Sequence, residues 1–317
     1  MSKDLGKFLR RALVFIIPIV IYASFIRTVD PYNYFSATAP ENSESKKAVS
    51  FKLNYAMWKI LEYRRTPQAN ILLGDSRMME IDSDSVLAVS GMPYSNLAYG
   101  GGSLREAIDT FWLATEMTKL NDVVIGINLN TFNDNDRKNR VSEVRASMDN
   151  PLIYFVNRNV LTSAIAITKN HFSKKDGSIG VPKMSRDEFW RHQLDVTTKA
   201  TYSNYAYPRN YLLELDEINR YCDQNNIGLS FLIFPSHQDL RDQAKLYQLE
   251  DHLTTMVSEL AAMGIVYNFD FDNPLTQNAE NFKDPYHFNH SLMELIIQGV
   301  WGEGNSSVRV VEQSEQS

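Results

Sequence analysis

Two short stretches of this chain carry residues that together could make a hydroxyl nucleophilic. Ile71-Leu72-Leu73-Gly74-Asp75-Ser76-Arg77 is an apolar run that ends in a tight turn holding a serine. Asp284-Pro285-Tyr286-His287 sets an acid and a base three residues apart, near the C-terminus. A serine hydroxyl is a weak nucleophile at neutral pH. A histidine that takes its proton, held in turn by a carboxylate, makes it a strong one. Ser76, His287 and Asp284 are therefore the candidate catalytic residues. The chemistry they suggest is acyl transfer or ester cleavage.

Those residues need a scaffold, and the hydropathy pattern supplies one. Buried-type strands are expected at Asn70 to Gly74, Tyr94 to Ala98, Val123 to Leu129, Gly228 to Phe234 and Ile265 to Phe269. Helical spacing is expected over Phe51 to Tyr63, after Ser103, over Tyr211 to Asn225, over Asp239 to Met263 and over Asn289 to Val300. Ser103 can cap its helix, with Glu106 in the capping-box position. Strands alternating with helices imply a three-layer α/β/α domain with a mainly parallel sheet. Such sheets bind ligands beyond the carboxyl ends of their strands. Ser76, the Gly100-Gly101-Gly102 run, Asn130, Asp284 and His287 all fall at that edge.

The 317 residues suffice for one large domain or one domain with an insertion. A net charge of -6 gives no basic footprint, so nucleic acid is not an expected partner. Cys222 stands alone, which excludes an intrachain disulfide and cysteine-built zinc sites. No metal and no cofactor is expected. At the N-terminus, Lys3, Lys7, Arg10 and Arg11 precede the uncharged run Ala12 to Ile26. A basic segment before an apolar one predicts an uncleaved single-pass anchor, with a cleaved signal peptide as the rival, and either way the rest of the chain outside the cytoplasm. The expected organisation is an anchor over 1–29, a linker and lead-in helix over 30–67, the main domain over 68–301 and a polar tail over 302–317. The stretch 133–207 breaks the rhythm and reads as an insertion, a cap or substrate-binding element with a Lys174-Lys175-Asp176-Gly177 turn. Ser36 to Lys47 reads as an exposed linker.

In these blocks the chain resembles the SGNH hydrolase superfamily, the GDSL-type esterases. The first block is Gly74-Asp75-Ser76-Arg77, the second Asn96-Leu97-Ala98-Tyr99-Gly100-Gly101, and the fifth Asp284-Pro285-Tyr286-His287. The usual Gly-x-Asn-Asp of the third block is absent. Asn128, Asn130 and Asn133 are candidates for its asparagine, with Asn130 chosen for its place at the strand end. Arg77 stands where a leucine is usual, and Ala98 where a glycine is usual. The resemblance covers roughly 68–135 and 210–301. It implies a flavodoxin-like fold, a serine nucleophile, and an oxyanion hole made by Ser76, Gly101 and Asn130, with Gly100 and Asn128 as alternates. Val29-Asp30-Pro31-Tyr32 after the apolar run, and His287-Phe288-Asn289, are similar to membrane-tethered members that act in alginate O-acetylation and teichoic acid D-alanylation. That similarity implies a polysaccharide or acylated glycan substrate and a membrane-bound O-acyltransferase partner, at a plasma or inner membrane with the catalytic domain periplasmic or extracellular.

Each residue also has a plainer reading. A Gly-Asp-Ser turn marks many loops. Gly100 to Gly102 could be only a flexible turn, and Asn130 only a strand-end cap. Arg77 could hold an anionic or sugar group, or make a surface salt bridge. His237 could line the site or sit in its loop, and His290 could bind substrate or merely start the last helix. Two function classes follow: an extracytoplasmic serine esterase or O-acyltransferase, and a non-catalytic SGNH-like module that binds glycan or recruits an acyltransferase. A lipase suits the anchor but lacks a clear apolar lid.

Overall fold

A computed structural model describes residues 3–172 and 184–312, with side chains from residue 14 onward. The Lys174 to Gly177 turn lies outside the described residues. The chain divides into two compact units, Met1–Thr66 with Ser142–Ile179 and Pro67–Val141 with Gly180–Ser317. The stretch 133–207 is thus shared between them.

The second unit is a three-layer α/β structure on one six-stranded sheet. Its strands are β1 (Asn70–Leu73), β2 (Tyr94–Asn96), β3 (Asp122–Gly126), β4 (Gly228–Ile233), β5 (Ile265–Asn268) and β6 (Arg309–Val311), in the order β2-β1-β3-β4-β5-β6. The first five strands are parallel, with Leu72 opposite Val124 and Ile125 opposite Phe231. Ile71, Leu72, Leu73, Val123 and Ile125 are fully buried. Strands covered on both faces need continuous apolar runs, and these have them. On one face the helix Met293–Trp301 and the helix Ser83–Ser90 pack over Leu72, Val124, Leu232 and Phe234 through Ile296, Ile297 and Val86. On the other, Phe111 of the helix Leu104–Met117 meets Tyr221 of the helix Arg209–Asn225, over buried Leu215 and Ile218. The expected capping box of Ser103 and Glu106 is present.

β6 falls in the expected polar tail. Arg309–Val311 pairs antiparallel with β5, Val311 against Val266. Three residues have no period to read, and only the open edge of β5 makes them a strand. Residues 313–317 lie outside the described residues.

β1 connects to β2 on one side and the chain then crosses to β3 on the other. The order therefore reverses around β1, and a crevice opens beyond the carboxyl ends of β1 and β3.

The first unit is helical, with Lys3–Val29, Ser43–Ser50, Tyr55–Arg65, Pro151–Val156 and Arg158–Phe172. Asp30 is its knot. The carboxylate accepts from the Tyr34 and Phe35 amides at 2.8 and 3.0 Å and from the Tyr154 hydroxyl at 3.0 Å. Lys46, expected in an exposed linker, is buried, because its Nζ donates to the Asp30 carbonyl and to Asn33 Oδ1, both at 3.0 Å. Side chains from Val14 to Ile21 are largely exposed, Phe15 at 74%. Among the described residues, no helix is long and apolar enough to cross a membrane. The expected spanning helix is thus unsupported. Its uncharged run, Ala12 to Ile26, is shorter than the about 20 residues a span requires.

Candidate active site

Ser76 opens the short helix Ser76–Met79 directly after β1. Asp75 caps it, its Oδ1 accepting from the Arg77 amide at 2.9 Å. The serine is thereby presented on a fixed turn at the carboxyl edge of the sheet. His287 comes from the loop that precedes the last helix. Its Nε2 lies 2.8 Å from Ser76 Oγ, across 211 positions of sequence. Its Nδ1 lies 2.8 Å from Asp284 Oδ2. An ionised carboxylate can only accept, so the proton sits on Nδ1 and Nε2 is left to accept from the serine hydroxyl. Asp284 is 4% exposed, and its second oxygen accepts from the Tyr286 and His287 amides at 2.9 and 3.2 Å. The short loop is therefore wrapped around the carboxylate that orients its own histidine.

The glycine run lies beside this chain of hydrogen bonds. Gly101 has φ +55, a left-handed conformation open to glycine at little cost. A Cβ on Gly102 would stand 2.8 Å from the Gly74 carbonyl, so this loop approaches the serine turn closely because it lacks side chains. Arg140 donates to the Gly100 carbonyl at 3.2 Å, and Lys138 to that of Gly101 at 2.9 Å. In a trans peptide the Gly101 N–H points opposite to the Gly100 carbonyl, away from Arg140. Gly101 lines the cavity at Ser76 and His287, whereas Gly100, the expected alternate, does not.

Of the asparagines, Asn130 lines the same cavity. Asn128 does not. Its Nδ2 donates to the Phe234 carbonyl at 2.9 Å and its Oδ1 accepts from the Phe234 amide, which ties the end of β3 to the end of β4. Asn133 borders the cavity, but its Oδ1 accepts from the Asn135 and Ala206 amides.

Of the three candidate substrate-binding residues, Arg77 lines the cavity, whereas His237 and His290 do not. Arg77 is no surface salt bridge. It is 2% exposed and held by Asp75, with Nε to Oδ2 at 3.1 Å and Nη2 to Oδ2 at 2.5 Å. Burial works against its charge, but the Asp75 carboxylate more than restores it and holds the guanidinium above its ordinary pKa. His237 caps the helix Gln238–Leu246. Its Nδ1 accepts from the Asp239 amide at 3.1 Å and its ring packs against Trp190, and it does not line the cavity. His290 is exposed at the start of a 3-10 turn and likewise does not line it.

The cavity has a volume of 480 Å³. Its far wall comes from the stretch 133–207, read in sequence as a cap or substrate-binding element without any of these residues being singled out. Gln193, Thr197, Thr201 and Asn204 project from the segment that begins at Arg186, and Asn135 and Asp136 face in beside them. A π-helical turn, Gln193–Thr198, interrupts that segment. Thr198 Oγ1 donates to the Gln193 carbonyl at 2.8 Å and meets the Tyr286 hydroxyl at 2.7 Å. A π turn re-aims the helix face, and such turns occur often at functional sites. The run of threonines at 197, 198 and 201 was the available signal. Among the described residues, no Leu, Ile, Val, Phe or Met lines the cavity. A larger cavity of 710 Å³, bordered by Arg241, Phe271 and Arg309, includes neither Ser76 nor His287.

Two solved structures are similar to this chain. One is a Streptococcus pneumonia protein described provisionally as a platelet activating factor. It matches with a TM-score of 0.42 at 11% identity, over 79% of this chain and 90% of that one. The other, from Bacteroides fragilis, is described provisionally as an acylhydrolase, with a TM-score of 0.36 at 11% identity over 74% of this chain and 86% of that one. No family profile matches the sequence, and no curated protein matches it. Similarity this remote carries no inference about activity, which must come from the site itself.

Proposed function

We propose that this chain is a serine acyl esterase or O-acyltransferase of the SGNH type, acting on an O-acyl group, most simply O-acetyl, of a polysaccharide. The observation that carries this reading is the hydrogen-bonded chain Ser76–His287–Asp284 opening into a polar cavity. His287 Nε2 takes the Ser76 proton as Oγ bonds to the acyl carbonyl carbon. Asp284 stabilises the imidazolium that results. The oxyanion is received by the Ser76 and Gly101 amides and by Asn130. One such donor is typically worth about 2.7–4 kcal/mol. Collapse breaks the bond to the leaving alcohol, which receives the proton from His287. Water or a sugar hydroxyl then attacks the acyl-enzyme by the same route in reverse. A wall of amides and hydroxyls suits a glycan, since each group can exchange hydrogen bonds with sugar hydroxyls. Among the described residues no large aliphatic side chain is there to hold a long acyl chain, which argues against a lipase.

Incubation with an activated acetyl ester should add one acetyl group to the intact protein, and Ser76→Ala should add none. A wild-type protein that gains no acetyl group and no serine-reactive phosphonate would favour the second reading, in which the polar cavity only binds glycan and recruits an acyltransferase.

The proposed location is outside the cytoplasm, with the N-terminus tethered at the membrane near an O-acyltransferase partner. Support comes from the basic residues before Ala12 and from the exposed apolar side chains over Val14 to Ile21. Alkaline phosphatase fused after Ser317 should be active in cells. A stable but inactive fusion counts against this orientation.

A further inference from the structure

The fate of Arg77 is not explained by the hydrogen-bonded chain of Ser76, His287 and Asp284. Its Nη2 donates to Asn130 Oδ1 at 2.8 Å while also holding Asp75. A guanidinium has donors and no acceptor, so the Asn130 atom facing it must be the oxygen. The Nδ2 group is then the other arm of the amide, on a residue that lines the cavity beside Ser76. The fork is 2% exposed and gripped through two nitrogens by Asp75. Among the described residues, its buried Nη1 has no hydrogen-bond partner. Donation into Oδ1 also polarises the amide and strengthens its N–H groups as donors.

We propose that Arg77 is a positioning residue that fixes the Asn130 amide with Nδ2 toward the reacting carbonyl oxygen. The proposal rests on the esterase reading above. Asp75 links the two ends of the device: its carboxylate caps the Ser76 turn and locks Arg77, and Arg77 locks Asn130. The nucleophile and one oxyanion donor are thus set by a single ion pair in adjacent residues. Lysine would keep the charge beside Asp75 but has no planar fork to reach both partners at once.

The alternative role for Arg77 is to neutralise Asp75 and nothing more. A double-mutant cycle separates the two. Rates of Ser76 acetylation and turnover with 4-nitrophenyl acetate would be measured for wild type, Arg77→Lys, Asn130→Ala and the double variant, each checked by thermal melting. Arg77→Lys is expected to lower kcat about 10- to 100-fold with little change in KM, because an oxyanion donor acts in the transition state. In the Asn130→Ala background the same change should cost less than about threefold, because the amide it positions is gone. Equal losses in both backgrounds would overturn the proposal, as would a loss confined to KM. If Arg77→Lys does not fold, Arg77→Gln takes its place in the cycle with the same two outcomes. A wild-type protein that is not acetylated at Ser76 overturns the esterase reading itself, and this proposal with it. A wild type that is acetylated, with an additive cycle, overturns the role of Arg77 alone.

Discussion

Ser76→Ala and His287→Ala are each expected to lower turnover of an activated acetyl ester by about 10⁴- to 10⁶-fold, and the double variant by no more than either alone. The reason is geometric. Ser76 Oγ and His287 Nε2 are 2.8 Å apart, so each is useful only through the other. Without the imidazole the hydroxyl keeps its proton, and without the hydroxyl the imidazole has no nucleophile to activate. The residual rate would come from the oxyanion donors and from binding. The measurement is steady-state and single-turnover kinetics on the four proteins. Multiplicative losses in the double variant would show that Ser76 and His287 act separately. Full activity in Ser76→Ala would remove the proposed mechanism while leaving the fold untouched.

Asp284→Asn is expected to cost about 10⁴-fold in kcat, nearly as much as losing the base. His287 Nδ1 has Asp284 Oδ2 as its hydrogen-bond partner at 2.8 Å. An asparagine that turns its Nδ2 to the ring donates to Nδ1, which forces the proton onto Nε2, where it blocks the serine. If it turns its oxygen to the ring instead, the backbone amides of Tyr286 and His287 lose their acceptor and face an NH2 group. Either way the imidazolium loses its counter-charge. Kinetics of the variant, with melting to show that the loop still folds, would test this. A loss of less than about tenfold would mean that the carboxylate is not the orienting group, contrary to the pattern expected of such an arrangement.

The sequence by itself determined the five parallel strands and the order of the reactive residues. The parallel strands are buried on both faces, so apolar runs such as Ile71-Leu72-Leu73 and Val123-Val124-Ile125 stand out without any partner in view. The Ser103 capping box was equally local, since its bonds span three residues. Gly74-Asp75-Ser76 and Asp284-Pro285-Tyr286-His287 were legible because turn chemistry and reactive side chains sit together in short segments. What sequence left open was how each of several similar side chains is engaged. Asn128 and Asn130 are two residues apart, yet one is spent on the Phe234 backbone and the other borders the cavity. Arg77, read as a substrate-binding group or a surface salt bridge, is an interior charge, and its partner Asn130 lies 53 positions away. His237 had the right chemistry at a strand end, but its ring is consumed by a helix cap and by Trp190. The polar wall over the cavity depends on a π turn that no hydropathy period announces. β6 exists only because β5 leaves an edge for it. Local patterns fix which segments become strands, helices and turns, because those bonds close within a few residues. Which polar group is satisfied and which is left to react is decided by long-range neighbours, and only the folded chain brings those together.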